Sequence, residues 1–293
     1  MKKNIFTLIL LVTTISSCYK EKPLASELGK PKYIIEDSED PARHYVYNLW
    51  KDTGTFILEK YDSLDYKWNV SSLSNNIITL IPEEEINEVY SPSIDFLRAT
   101  LLDYYNVEFI KKYFPTRIFL AQKIDDDRYD MDIWNDQTCQ HGRAYLALGR
   151  LRKDAFPKTA EETLYVKGKI NAMLWADFIV ENHLFTIPEV FFTPCEDYYG
   201  KSMSADKEHR DDPEYIKKMG FWQYDEKNIG NQWMLPTRSE DIADFIEMIV
   251  THSEEQMKEI LKGYETLTVK YNIILSSIKE GTGVDLQAIG DHK

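Results

Sequence analysis

Short β-branched segments set among long stretches of helical period limit the fold more than any other feature of this chain. Ile77-Ile78-Thr79-Leu80-Ile81, just before Pro82, reads as a strand or extended segment. Arg117-Ile118-Phe119-Leu120-Ala121 reads as a buried strand followed by an acidic turn at Asp125-Asp126-Asp127. Arg143 to Leu148 reads as another, entered through Gly142. Helical periodicity begins near Pro41, with Tyr45, Leu49, Phe56 and Leu58 on the apolar side and Gly54 as a break. Ser91-Pro92 predicts a helix start, with serine as cap and proline at the first helical position, and Pro115 stops the helical run that follows. The strongest central helix is predicted over Thr159 to His183, capped by Thr159. Ser239 is expected to cap a helix through Ile242, Phe245, Ile246 and Ile249, and a last helix to span about Ser253 to Lys279. Residues 186–215, with Pro188, Pro194, Gly200 and Pro213, have no sustained period and read as a long loop. Strands embedded among long helices predict an α+β domain, helix-rich with a small sheet.

The N-terminus carries an address. Met1-Lys2-Lys3 is a positive start, Ile5 to Ile15 is an apolar run, and Ile15-Ser16-Ser17-Cys18 ends it with small residues before a cysteine. That order describes a secretory signal, too short to span a bilayer stably. The cysteine after small residues resembles a bacterial lipobox, which implies cleavage after Ser17 and lipid attachment at Cys18. Residues 1–17 are therefore expected to be a lipoprotein signal peptide, 18–40 a polar tether containing Pro23 and Pro31, and 41–293 the folded domain. Beyond the signal no apolar run approaches the roughly 20 residues of a membrane span.

With 35 basic and 49 acidic residues the chain has a net charge of −14, which excludes nucleic acid as a partner on simple repulsion. Once Cys18 is lipidated only Cys139 and Cys195 remain; they could form one bridge or stay as two thiols. Their surroundings, Cys139-Gln140-His141 and Cys195-Glu196, match no zinc-site spacing.

Several motifs, in order, resemble a known group. Pro115-Thr116-Arg117-Ile118-Phe119-Leu120 looks like that group's entry to a central strand. Gly220-Phe221, followed by Asp244-Phe245-Ile246-Glu247-Met248, looks like its glycine-aromatic loop and acidic helix, and Gly283-Val284-Asp285-Leu286 like its closing motif. Together they make the chain similar to the substrate-import-associated zinc metallohydrolase lipoproteins, also described as zinc-binding metallopeptidases. The resemblance implies a zincin-like domain and a place beside starch-utilisation-type, TonB-dependent uptake systems of the outer membrane.

The group's defining motif is His-Glu-x-x-His on a helix: two imidazoles on one face bind zinc and the glutamate activates the bound water. Anchored on Pro188, the matching window here is Trp175-Ala176-Asp177-Phe178-Ile179, with Trp175 and Ile179 in place of the histidines and Ala176 in place of the glutamate. No His-Glu pair occurs at any of the six histidines, His44, His141, His183, His209, His252 and His292. Indole, methyl and branched alkyl groups neither ligate a cation nor accept a proton, so no metal, zinc included, and no catalytic residue is expected at these three motif positions.

Other residues remain as a possible cleft. Asp177 and Glu181 share a helix face with His183 just beyond, a set that could do acid–base chemistry or belong to a solvated face. Asp244 and Glu247 survive on the acidic helix, where Ala243 stands before Asp244. Trp222, Tyr224 and Trp233, near Gly220, Asn228, Gly230 and Asn231, could stack on sugar rings or peptide, or pack a loop onto the domain. The leading expectation is an outer-membrane, lipid-anchored accessory protein on the periplasmic or cell-surface face. It would bind a peptide or oligosaccharide, beside a TonB-dependent transporter and its substrate-binding lipoprotein, without hydrolysing it. The alternatives are an active hydrolase using Asp177, Glu181, His183 and Glu247, and a structural or adhesion surface lipoprotein.

Overall fold

Asp40 accepts the Arg43 N–H at 2.9 Å and Pro41 fills the first helical position, so helix α1 runs Pro41–Thr53. Gly54, at φ +80°, closes it in the left-handed conformation that glycine adopts without penalty. The chain then enters strand β1, Phe56–Leu58, so these residues belong to the sheet and not to a continued helix. The computed structural model describes residues 32–67, 76–126, 136–210, 212–224 and 233–292. The signal segment, Cys18 and most of the tether lie outside the described residues, as do Asn228, Gly230 and Asn231. The chain divides into Met1–Glu36, whose described residues 32–36 contain no helix or strand, and a body of Asp37–Lys293.

The body's sheet is organised on β3, Arg117–Asp126, so Asp125 and Asp126 continue the strand by pairing with β2 and are not a turn, while Asp127 lies outside the described residues. The first half of β3 lies parallel to both β1 and β5, Tyr145–Leu148. Its second half pairs antiparallel with β2, Asn76–Leu80, through an irregularity between Thr79 and Leu80. Beyond β5, β4 (Cys139–Gly142) pairs antiparallel and ends the path β1-β3-β5-β4, with Arg143 and Ala144 as the turn between them. Ile118 to Ala121 and Leu146 to Leu148 are fully buried, the continuous apolar run expected of strands covered on both faces. Cys139 and Cys195 are both free thiols, both buried.

After the single turn α2 (Ser63–Tyr66), the helices depart from the sequence reading at specific residues. Helix α3 runs Glu83–Thr100, so Ser91-Pro92 lies in its interior and starts nothing. Glu83, Glu84 and Glu85 suit its positive end, and Ile86, Val89, Tyr90, Ile94 and Leu97 make one buried stripe that continues across Pro92. That burial outweighs the roughly 3 kcal/mol an interior proline costs a helix. Helix α4, Val107–Tyr113, is capped by Asn106. The central helix divides into α5, Ala160–Ala172, capped by the Thr159/Glu162 box, and a π-helical segment, Met173–Val180.

The predicted loop holds α6, Glu189–Phe192, and the 3₁₀ turn Thr193–Cys195, and Pro213 opens α7, Pro213–Met219. Thr237, not Ser239, caps α8, Arg238–Thr251, through a reciprocal box with Glu240. The predicted last helix is two, α9 (Glu254–Ile260) and α10 (Glu265–Thr282), because Gly263 takes φ +89° between them. Helix α11, Leu286–Asp291, follows. The fold is α+β, helix-rich with a small mixed sheet. The π segment packs against α8 and the edge strand β4, and α5 packs against α8. Among the described residues no helix is long and apolar enough to cross a membrane.

Candidate functional site

The π segment is the centre of interest because the resemblance places the metal-binding motif there. Trp175, Ala176 and Ile179 are all 0% exposed. The bonds from Glu181 N–H to Ala176 C=O (3.2 Å) and from Leu184 N–H to Ile179 C=O (2.9 Å) are the wider i→i+5 closures of a π-helix. Trp175 donates its Nε1–H to Tyr105 Oη at 3.0 Å, and Tyr105 donates onward to Asn171 Oδ1 at 2.7 Å. Asn171 Nδ2 then donates to Thr100 C=O (2.8 Å) and to Lys167 C=O (2.7 Å). Phe109 stacks on the Tyr105 ring at 4.8 Å and lies 5.4 Å from the Trp175 ring. Burial pushes the Tyr105 phenol well above its ordinary range, so it stays a neutral donor and acceptor. Each polar group of this relay is satisfied inside the core, which is how buried indole and amide groups are retained without penalty.

The surviving polar residues are spread out. Asp177 faces β4, its Oδ2 3.9 Å from His141 Nε2, a contact between distant sequence positions that the helical spacing alone did not reveal. Glu181 and His183 are exposed, and His183 takes φ +58° where the helix ends. Glu247 lies on α8 and pairs with Lys169 of α5 at 3.0 Å, beside Gly168, where a Cβ would stand 2.9 Å from Glu247 Cγ. Asp244 accepts Gln223 Nε2 at 2.9 Å. Asp177, Glu181, His183 and Glu247 therefore do not converge, and among the described residues no three His, Cys, Asp or Glu side chains are grouped to hold a metal ion.

The three aromatic residues also separate. Trp222 is buried, edge-on to Phe245 at 5.4 Å, and so is packing. Tyr224 is half-buried against the small core of Cys195, Ile216, Phe221 and Leu235. Trp233 is half-buried at φ +44°, with the Arg210 guanidinium 4.1 Å from its ring.

A buried charged cluster escaped the sequence reading. Lys270 of α10 and Asp241 of α8 have side chains 0% and 1% exposed, with Nζ 2.8 Å and 2.6 Å from the two carboxylate oxygens. Lys270 also donates to Gly220 C=O at 2.9 Å, and Tyr199 Oη donates to Asp241 Oδ2 at 2.6 Å. Phe191, Phe245 and Phe221 surround the ammonium at 4.8, 4.9 and 5.0 Å, and Cys195 Sγ lies at 3.7 Å. Burial pushes the Asp241 carboxyl up and Lys270 opposes it; burial likewise raises the Cys195 thiol. The signal was present in α10, where Lys270 shares the stripe of Leu267, Ile274 and Ile278.

No protein-family model matches the chain, and no curated protein matches it. Among solved structures it matches a "putative zinc-binding metallo-peptidase" from Bacteroides caccae, with a TM-score of 0.54 at 14% identity, over 88% of this chain and 93% of that one. The chain shares that protein's fold. Within this shared fold, the zinc the resemblance implies does not fit the helix where it would be held. The Trp175 nitrogen is a donor already bound to Tyr105, and Ala176 and Ile179 carry no donor atom at all.

Proposed function

We propose that this chain is a non-hydrolytic, metallopeptidase-like binding protein of the bacterial outer membrane. The single observation that carries the reading is the complete burial of Trp175, Ala176 and Ile179 with the Trp175–Tyr105–Asn171 relay locked behind them. A face committed to packing has neither a metal ligand nor a proton acceptor, whereas the fold around it is kept. The proposal includes lipid attachment at Cys18, a tether over residues 18–40, and service beside a TonB-dependent transporter and its substrate-binding lipoprotein, with a peptide or oligosaccharide as the bound species. The lipobox and the resemblance support that part. The opposing reading, hydrolysis by Asp177, Glu181, His183 and Glu247, is disfavoured because Glu247 faces Lys169 and Glu181 and His183 face solvent.

The test is to incubate the mature chain with peptide and oligosaccharide panels, following cleavage by mass spectrometry and binding by thermal shift. Binding without cleavage is expected. Turnover of any panel member that persists in highly purified protein overturns the reading.

A further inference from the structure

We propose that the cleft between Arg150 and Glu161 binds a zwitterionic small molecule, a free amino acid or short peptide with an apolar side chain. The inference rests on the reading of the domain as a binding protein and names the ligand class. The cleft is about 250 Å³ and its lining includes Phe96, Gly149, Arg150, Glu161, Tyr165 and Val166. That is just below the usual range of about 300–1,000 Å³ for drug-sized ligands, suited to an amino acid or dipeptide and too small to enclose an oligosaccharide.

Arg150 follows β5 with φ +61°, a conformation non-glycine residues seldom hold, and such strain collects at binding sites. Gly149 fixes the approach, because a Cβ there would stand 2.3 Å from Gln137 C=O. The Arg150 guanidinium only shares a carboxylate. The carboxylate nearest it, Asp136, is already clasped by the Arg152 fork at 2.7 and 2.8 Å. Arg150 Nε reaches that carboxylate only at 3.5 Å, and this enclosed N–H has no hydrogen-bond partner among the described residues. The terminal nitrogens of this side chain, which is 43% exposed, make no hydrogen bond among the described residues, and an incoming carboxylate supplies the bidentate partner a guanidinium fits best.

Glu161 is the opposite case. It is exposed on the first turn of α5 and, among the described residues, makes no hydrogen bond or ion pair. Its neighbour Glu162 is fully engaged, accepting the Lys158 and Thr159 N–H groups at 2.7 and 3.0 Å. One cleft thus carries a cation and an anion that do not pair with each other. The carboxylate and ammonium of an amino acid match them, while Phe96, Val166 and the Tyr165 ring, 52% exposed, receive its side chain.

The test is calorimetric titration of the mature chain with L-phenylalanine, hydrocinnamate (no ammonium) and phenylalaninamide (no carboxylate). Saturable binding of phenylalanine is expected. It should weaken by about tenfold or more for each one-charge analogue and for the Arg150→Gly and Glu161→Gln variants. Glycine suits the left-handed backbone at 150, so the Arg150→Gly melting temperature should be unchanged or raised, which separates lost binding from lost fold. Absence of saturable binding by phenylalanine, leucine or Leu-Phe up to about 10 mM overturns the proposal, as does binding that both variants leave intact. Zinc content measured on the same sample separates the failures. One zinc per chain overturns the binding-protein reading itself, whereas zinc-free protein that ignores all three ligands overturns the cleft proposal alone.

Discussion

Lys270 and Asp241 form a fully buried ion pair, with the ammonium 2.6 and 2.8 Å from the two carboxylate oxygens and its third donor on Gly220 C=O. The pair ties α10 to α8 and to the loop at Gly220, and Tyr199 Oη completes the shell at 2.6 Å. Breaking one half leaves a charge in an aromatic enclosure. Lys270→Met is expected to cost about 3–5 kcal/mol, and Lys270→Met with Asp241→Leu markedly less. Urea denaturation of the two variants tests this, and a double variant as unstable as the single would show that the charge is not what matters.

Tyr105→Phe removes one hydroxyl and strands two groups, Trp175 Nε1 and Asn171 Oδ1. A loss of about 1–3 kcal/mol is expected by chemical denaturation. A loss under about 0.5 kcal/mol would mean the relay contributes little to holding the π segment.

Gly290 lies where α11 meets the end of α8: a Cβ there would stand 2.1 Å from Ile249 C=O and 2.3 Å from His252 C=O. Gly290→Ala gains about 1 kcal/mol of helix propensity, yet the clash is with backbone that cannot yield. A net loss of about 1–3 kcal/mol is expected. A stabilised variant in a thermal melt would contradict the close approach of these two helices.

The Arg152 fork holds the Asp136 carboxyl below the ordinary carboxylate range. A depressed carboxylate contributes stability above its unfolded value, about 4, and loses it as pH falls through the lower folded value. The wild type should therefore exceed Asp136→Asn in urea midpoint at pH 6, with the gap closing below about pH 4. A gap independent of pH would mean the substitution acts by packing.

Much of the architecture was legible in residues that act locally. Thr159 with Glu162, Gly54, and the apolar run of Arg117–Ala121 each specify an element through neighbours a few residues away, and each forms where expected. The misplaced elements were decided at a distance. Pro92 reads as a helix start until the stripe of α3 is seen to be buried on both sides of it. The capping assignments near Ser239 failed because Thr237 offers the same chemistry two residues earlier with the reciprocal Glu240. The site was legible only in outline. The lack of any side-chain ligand atom at Ala176 and Ile179 is written in the chain, but the partners of Asp177 and Glu247, His141 and Lys169, come from other elements. Lys270 and Asp241 lie on different helices, and only tertiary packing brings them into one enclosure.

The most direct measurement is zinc content of the protein, purified without chelator, exposed to excess zinc and then exchanged into metal-free buffer. A packed face of Trp175, Ala176 and Ile179 should leave well under one zinc per chain and an unchanged melting temperature. One tightly held zinc per chain, with the melting temperature raised by the metal, would contradict it.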